Sequence, residues 1–598
     1  MAEIPHAPLS DALEARIGDR RLVSAIFLTY KFDPGFFEQE VLPVLFDVPL
    51  SNAAAIRLVQ LEETLRALEG EVAVYYDATG LIATGSESAK LDVRRIPVLH
   101  RTGIFHPKNI FLLLESDEPR EDSTRERTLC VACLSANLTR AGWWENVEVC
   151  HFEEIREGER TLLKDDLIDF LEGLKRRAPA ADNNQRALGD VLAFLKRNTD
   201  QRAYRSTADI LHPRFYNGSQ PVTDFLDAAA GDRLYGANLE VISPYFDDAD
   251  VSAPLEALIE RFAPREVRVL LPQEPSGLVL CREALFKSMR KRPGVSWGKL
   301  PAERIRAGRG EDVAPRFVHA KVYRFFSQNP ARELAFVGSA NLTSAGHQRG
   351  GNLETGFLIE TRPKGRPDYW LELEPHNPTN FDPRPEADEV KDTAPAPLAL
   401  RYNWAAHSAE ALWLESATSP VIRLDSRGKA IGEIERLPAR IWLRLPGTLA
   451  DSLRQVLEET SFVRVTLAGA DPAIILVQEE GMAHKPSLLL QLSVADILRY
   501  WAMLSPAQRA AFIEAKWPQG GEMGDGADLV ARLQRNYSKD TLFDRFAGFF
   551  HAFNSLEKSH PIVINGEAAQ GCVISTLWQE VRFSSDTARS SHSFGGGG

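Results

Sequence analysis

The chain has 598 residues, with 70 Lys and Arg against 83 Asp and Glu, a formal net charge of −13. At 44% hydrophobic and 26% charged it has the composition of a folded globular protein, which excludes a disordered or fibrous chain. No run of about 18 apolar residues occurs, and the start, MAEIPHAPLSDALEAR, lacks the basic-then-apolar order of a secretory signal, so a cytoplasmic protein of roughly two to four domains is expected.

Residues 21–32, RLVSAIFLTYKF, read as a strand, and Asp33-Pro34-Gly35 then opens a predicted helix, FFEQEVLPVL. EVAVYYDATG (71–80) is a second strand. His106-Pro107-Lys108 leads into the apolar run NIFLLL. TLCVACLSAN holds Cys130 and Cys133; their CxxC lacks a second pair or nearby histidines, so both are expected in the core rather than on a metal. That strand runs into Ser135-Ala136-Asn137-Leu138-Thr139, and Asn146-Val147-Glu148 opens another. Helices are predicted over 158–176 and in DVLAFLKRN. The whole order then returns: ANLEVISPYFDD, a helix in APLEALIERF, EVRVLLPQEPSG, His319-Ala320-Lys321, Ser339 to Thr343, and Asn352-Leu353-Glu354. Chance supplies one His-x-Lys but hardly the ordered set twice. Strands alternating with helices predict an α/β fold of two pseudo-symmetric lobes, 1–200 and 201–362, with a site where they meet.

Eight prolines fall within 363–397, a linker or an extended wrap over the surface. Short β-rich runs separated by Gly, Pro, Asp and Ser make 398–492 a β-rich domain, a small antiparallel sandwich or barrel. Residues 493–582 read as a helical region, where Leu542, Phe543, Phe546, Phe549 and Phe550 fall on one apolar face. The tail, 583–598, has a disordered composition.

Two His, two Lys and two Asn brought together by the repeat suffice for phosphoryl transfer. One neutral imidazole attacks phosphorus, and a protonated one opposite it donates to the leaving oxygen. Lys ammonium and Asn amide groups hold the non-bridging oxygens, so no metal is required. His and Lys at i and i+2 of a strand enter the site from one face. A carboxylate on each imidazole would fix its tautomer, and Glu148 and Glu354 are the repeated candidates. His151 and His347 have no repeat partner and are not assigned to catalysis. Asn137 and Asn341 also suit turn and cap roles, which are compatible with phosphate binding.

These motifs resemble the phospholipase D superfamily, whose signature is H-x-K-x4-D followed by G-S-x-N. The second half carries His319-x-Lys321 and Gly338-Ser339-Ala340-Asn341; the first carries His106-x-Lys108 and Leu134-Ser135-Ala136-Asn137. The signature Asp is absent, with Leu113 and Phe326 in its place, as in the tyrosyl-DNA phosphodiesterase branch. The resemblance covers roughly residues 20–360. It implies two phospholipase D-like lobes, with His106 as nucleophile and His319 as general acid and base. Lys108, Asn137, Lys321 and Asn341 are then on the phosphate, with Ser135 and Ser339 beside them and no cofactor. Glu354 matches the supporting Glu of the second motif, and Glu148 is its repeat counterpart.

The superfamily cleaves lipids, nucleic acids and protein–DNA phosphodiesters, so the fold leaves the substrate open. Between Arg282 and Lys321 stand 11 basic residues and only four acidic ones. A basic stretch beside a phosphodiester site favours nucleic acid, DNA before RNA, with Arg290, Lys291 and Arg292 as backbone contacts and Trp297 as a stacking residue. Trp143 and Trp144 either stack a base or pack in the core or at the rim. A phospholipid phosphodiesterase is the alternative, although no membrane-docking element stands out. A third reading is a nucleic-acid-binding subunit with a dead site. No G-x-x-x-x-G-K-[ST] occurs, so any ATPase or helicase action falls to a partner docked on the C-terminal domains. The resemblance also raises bacterial DNA repair or anti-phage defence as the setting.

Overall fold

A computed structural model describes residues 9–46, 54–83, 90–100, 102–119, 125–178, 185–198, 211–305, 315–361, 363, 365–383 and 396–486. The chain divides into two compact units, one of Met1–Phe46 with Leu68–Glu480, the other of Asp47–Ala67 with Gly481–Gly598. Within the second, the helix Ala54–Ala67 and a turn at Met482–His484 are described.

The first unit opens on an α/β layer. Strands β1 (Arg21–Thr29), β2 (Val72–Asp77), β3 (Arg94–Val98), β4 (Asn109–Pro119), β5 (Arg125–Leu134) and β6 (Cys150–Arg156) form a sheet in the order β3-β2-β1-β4-β5-β6. β1, β2 and β3 run parallel; the other neighbours are antiparallel. A second sheet holds β7 (Arg214–Tyr216), β8 (Asn238–Ile242), β9 (Val267–Leu270), β10 (Val295–Lys299), β11 (Val322–Gln328), β12 (Ala331–Gly338), β13 (Gly356–Thr361) and β14 (Glu372–Leu373). Its order is β14-β10-β9-β8-β11-β12-β13-β7. The six strands β10-β9-β8-β11-β12-β13 repeat the order and directions of the first sheet strand for strand.

Period-two patterning places the core. Val322, Ala335 and Val337 face one way and join Phe111, Leu113 and Val131 of the first sheet in one cluster, with Leu167, Phe170 and Val191 from the helices Lys164–Arg177 and Arg186–Asn198. Tyr323, Phe325, Leu334 and Phe336 face the other way, beneath the helices Val222–Leu234, Ala253–Phe262 and Glu283–Lys291. Each such side chain contributes about 1.5–3 kcal/mol by leaving water. A buried charged cluster interrupts the pattern: Arg324 pairs with Glu240 at 2.7 Å and Glu333 at 3.0 Å and so joins β8, β11 and β12.

The helix expected over FFEQEVLPVL is present as one continuous helical path, but its hydrogen-bond spacing changes along its length. A turn at Pro34–Phe36 passes into a wide turn at Phe37–Val41 and a tight one at Leu42–Leu45. Pro43 has no N–H to continue an α ladder. The proline-rich stretch, where described, is docked rather than a free linker. β14 extends the sheet alongside β10, and Phe381 bridges Val279. Pro is tolerated in such an edge path because few ladder donors are needed there.

Beyond it lie two four-stranded sheets. β15 (Leu398–Asn403), β16 (Ser408–Trp413), β17 (Ile422–Ser426), β18 (Lys429–Ile434), β19 (Trp442–Arg444), β20 (Phe462–Leu467), β21 (Ala473–Leu476) and β22 (Gln478–Glu480) pair as β19-β16-β15-β22 and β18-β17-β20-β21. They are antiparallel except for β15 with β22. A helix, Gly447–Leu457, buries Leu449, Leu453, Val456 and Leu457 between the strands, where the sequence suggested only β structure. The expected helical region 493–582 and tail 583–598 lie outside the described residues. Among the described residues no helix is long and apolar enough to cross a membrane.

Candidate active site

The two His-x-Lys segments lie immediately before β4 and β11. Each is laid along the Asn-x-Glu segment of the opposite sheet. His106 N donates to Leu353 O at 3.0 Å, and Leu353 N donates to Ile104 O at 3.0 Å. His319 N donates to Val147 O at 2.9 Å, and Val147 N donates to Phe317 O at 2.8 Å. These backbone bonds bring the side chains together crosswise. His106 Nδ1 lies 2.9 and 2.8 Å from the two carboxylate oxygens of Glu354, and His319 Nδ1 lies 2.8 Å from Glu148 Oε1. Each imidazole of one sheet therefore takes its carboxylate from the other.

The same symmetry extends to the carboxylates. Ser339 Oγ donates to Glu354, and Asn352 Nδ2 donates to it at 3.3 Å. Ser135 Oγ donates to Glu148, and Asn146 Nδ2 donates to it at 3.3 Å. Ser135 and Ser339, expected beside the substrate, thus sit behind the carboxylates. Each hydroxyl also accepts a backbone N–H, from Val149 at 2.9 Å and Thr355 at 3.0 Å, so its bonding is spent on orienting the Glu.

His106, Lys108, Asn137, His319, Lys321, Asn341 and Glu354 are buried, and the Glu148 side chain is 10% exposed. His106 and Lys108 are fully buried, and Glu354 is 1% exposed. Lys108 Nζ donates to His106 O at 3.1 Å. Lys321 Nζ donates to His319 O at 2.9 Å and lies 2.8 Å from His319 Nε2. With Glu148 on Nδ1, that ring carries its proton on Nδ1 and presents Nε2 as an acceptor. Burial alone would raise Glu148; the His319 charge and hydrogen bond, Lys321 and Ser135 outweigh it and hold the carboxyl below its usual range. Tyr30 and Tyr245 flank the two imidazoles, with ring centroids at 5.5 and 6.0 Å.

Asn137 Oδ1 accepts from Lys31 N at 3.2 Å and Thr29 Oγ1 at 3.4 Å, which turns the acceptor side of the amide to the backbone. Asn341 is 1% exposed in the matching turn. Thr29 and Ser243, at the ends of β1 and β8, accept the N–H groups of Leu138 and Leu342 at 3.0 and 2.9 Å. The sequence reasoning missed these hydroxyls and the two tyrosines. The signal was present in the paired exits Thr-Tyr-Lys-Phe-Asp and Ser-Pro-Tyr-Phe-Asp. After each Asn, Thr139 and Thr343 accept from Gly142 and Gly346. A Cβ on Gly142 would meet Asn137 O at 2.5 Å and one on Gly346 would meet Asn341 O at 2.7 Å, so only glycine lets the turn fold back on the Asn.

Several side chains of the basic stretch have partners of their own. Arg282 pairs with Asp248 and Asp250, Lys287 with Glu283, Arg292 with Glu256 and Lys299 with Glu374. Arg290 donates to Pro375 O and Asn377. Arg290 and Lys291 end the helix Glu283–Lys291, Arg292 caps it, and none of the contacts of Arg290 and Arg292 reaches the His–Lys–Asn set. Four acids distant in sequence pair with three cations of the run, Arg282, Arg292 and Lys299. Trp297 is core: its Nε1 donates to Phe286 O at 3.2 Å and its ring stacks on Phe286. Trp143 is buried, whereas Trp144 is 40% exposed beside Phe36 and Arg140. Arg316 donates to the carbonyls of Trp144, Glu145 and Asn146 and so holds the approach to Glu148.

Cys130 and Cys133 are buried, and burial pushes both thiols up to about 12. His347 sits in the core against Tyr323 Oη at 2.7 Å, its pKa lowered by burial to about 3, and His151 pairs with Glu153. Among the described residues no group of three or more His, Cys, Asp or Glu is placed to hold a metal ion. Chemically, the site offers two imidazoles oriented through Nδ1, two ammonium groups and two amides, a set suited to an anionic oxygen cluster.

A scan against protein-family models finds no match, and a search of curated proteins finds none. Solved structures with similar coordinates include yeast tyrosyl-DNA phosphodiesterase, at 11% identity and TM-score 0.36, covering 59% of this chain and 85% of that one. A mutant of the same yeast enzyme matches at 11% identity and TM-score 0.38, over 60% and 87% of the two chains. Polyphosphate kinase from Porphyromonas gingivalis matches at 10% identity and TM-score 0.29, over 59% and 45%.

Proposed function

We propose that the chain is a phosphodiesterase of the phospholipase D superfamily that cleaves nucleic acid, DNA before RNA, without a metal and through a phosphohistidine. The observation that carries this reading is the pair of crossed His–Glu contacts, in which each carboxylate holds Nδ1 of the imidazole from the opposite sheet. In the first step His106 Nε2 attacks phosphorus, and the N–P bond forms as the P–O bond to the leaving group breaks. Protonated His319 gives its proton to the leaving oxygen. In the second step His319 takes a proton from water, the water oxygen attacks phosphorus, and the N–P bond breaks to restore His106. Lys108, Lys321, Asn137 and Asn341 hold the non-bridging oxygens through both steps. Water exclusion strengthens those contacts. The cellular setting we assign, DNA repair or anti-phage defence beside an ATP-driven partner, is supported by the sequence resemblance alone.

The test is incubation of the purified chain with labelled single- and double-stranded DNA, RNA and phosphatidylcholine, with and without EDTA. Cleavage of DNA that survives chelation, with an acid-labile phosphoenzyme lost in His106→Ala, is the expected result. Complete loss in EDTA restored by Mg²⁺, or cleavage of the lipid alone, overturns the reading.

A further inference from the structure

A second candidate region lies away from the His–Lys–Asn set. A cleft of about 750 Å³ opens between the end of the helix Lys164–Arg177, the segment after β3, and the β15–β22 domain. Its walls carry His100, Arg176, Arg177, Arg440 and Trp442, with Glu415 as the one carboxylate. The volume is that of an ordinary ligand cleft, about 300–1,000 Å³, and too small for a duplex.

The charge here is of a different kind from that of the 282–321 stretch. There Arg282, Arg292 and Lys299 are paired with acids. Among the described residues, no carboxylate lies within ion-pair distance of Arg176, Arg177 or Arg440, Glu415 included. Burial, then the neighbouring Arg176 charge, holds Arg177 below the usual guanidinium value. The negative end of the helix eases two adjacent arginines in its last turn but leaves their donors unused. Arg440 stands at φ 57°, a left-handed conformation uncommon for any residue but glycine, fixed by its N–H bond to Trp413 O at 2.8 Å. Trp442 is half-buried; Arg401 covers one face of its ring at 4.2 Å, and Glu410 neutralises Arg401.

The cleft is also tied to the active site. His100 Nε2 lies 2.9 Å from Gly351 O, three residues before Glu354. His100 precedes His106 by six residues, and six extended residues span at most ~20 Å. That is about six nucleotide steps at 3.4 Å each.

We infer that this cleft binds a flanking stretch of single-stranded nucleic acid, with the three arginines on phosphates and Trp442 against a base. Guanidinium forks match phosphate oxygens, and an indole accepts any base face. The charged lining does not suit an acyl chain. The inference rests on the proposed phosphodiesterase reading and gives the β-rich domain a part in holding the substrate.

The test is fluorescence anisotropy with a labelled 12-nucleotide single strand, in the full chain carrying His106→Gln so that the strand stays uncut. Arg177→Glu with Arg440→Glu should weaken binding at least tenfold. The slope of log affinity against log salt should fall by about 1.4, at roughly 0.7 per lost phosphate contact. Arg177→Gln with Arg440→Gln, which adds no charge, should lose about threefold to tenfold. The charge-matched control, Arg423→Glu with Arg427→Glu, lies elsewhere on the β-rich domain and should stay within twofold of the parent. Unchanged binding and slope in the cleft variants, or an equal loss in the control, overturns the inference. Hydrolysis of bis-p-nitrophenyl phosphate by the unmutated chain reports on the phosphodiesterase reading separately, because so small an ester does not reach the cleft.

Discussion

An imidazole that attacks phosphorus must keep its proton on the far nitrogen. On the proposed mechanism Glu354 does this for His106, and Glu148 lies on the same nitrogen of His319. Glu354→Gln should lower kcat on a DNA substrate by about 10²–10⁴ while KM changes little, since an amide holds the ring but does not stabilise its cation. Steady-state kinetics decide it; loss confined to KM would move Glu354 to substrate binding. Glu148 allows a pH test. Its folded pKa is depressed, so the stability it adds is complete above the unfolded carboxylate range near pH 4.3 and is lost as the pH falls through the folded value. Urea midpoints of the wild type and Glu148→Gln should differ most at neutral pH and converge toward pH 3. At this scale the sequence named the His and Glu residues that the structure pairs, because duplication singled them out. It said nothing of the crossing, since one strand of text does not record which Glu meets which His. It also put Ser135 and Ser339 on the substrate, where the structure turns them to the carboxylates.

Strands and turns carry the repeated segments into place. The His-x-Lys segments were readable as strand approaches because the apolar runs after them are continuous and β-rich. The turns after Asn137 and Asn341 depend on Gly142 and Gly346, where a Cβ would strike the Asn carbonyl. Gly142→Ala and Gly346→Ala should each cost about 1–3 kcal/mol in urea unfolding. Deeper in the second sheet, Arg324→Ala should cost about 3–5 kcal/mol, because it leaves Glu240 buried without its cation. Neutral behaviour of either set would mean that the local backbone relaxes freely. The helix Gly447–Leu457 was hidden among short β runs, although Leu449, Leu453, Val456 and Leu457 carry a helical period. The ion-pair partners of the basic stretch were hidden for the opposite reason: Asp248, Asp250, Glu256 and Glu374 are far away in sequence and close in space.

For the molecule as a whole, the crossed contacts make the two sheets a single chemical unit. Double-mutant cycles test this. His106→Ala with Glu354→Gln, and His319→Ala with Glu148→Gln, should be strongly non-additive in kcat, while His106→Ala with Glu148→Gln couples less. Equal coupling in all combinations would argue against separate pairs. The crossing also bears on the timing of synthesis. A nascent chain that has released only its first 200 residues presents His106 and Glu148, but neither meets its partner, because Glu354 and His319 have not yet left the ribosome. On the proposed reading, a cell making a nuclease beside its own messenger and genome gains an interlock. Cutting power is then absent from any product that stops short of Glu354 and arises only when the second sheet closes on the first.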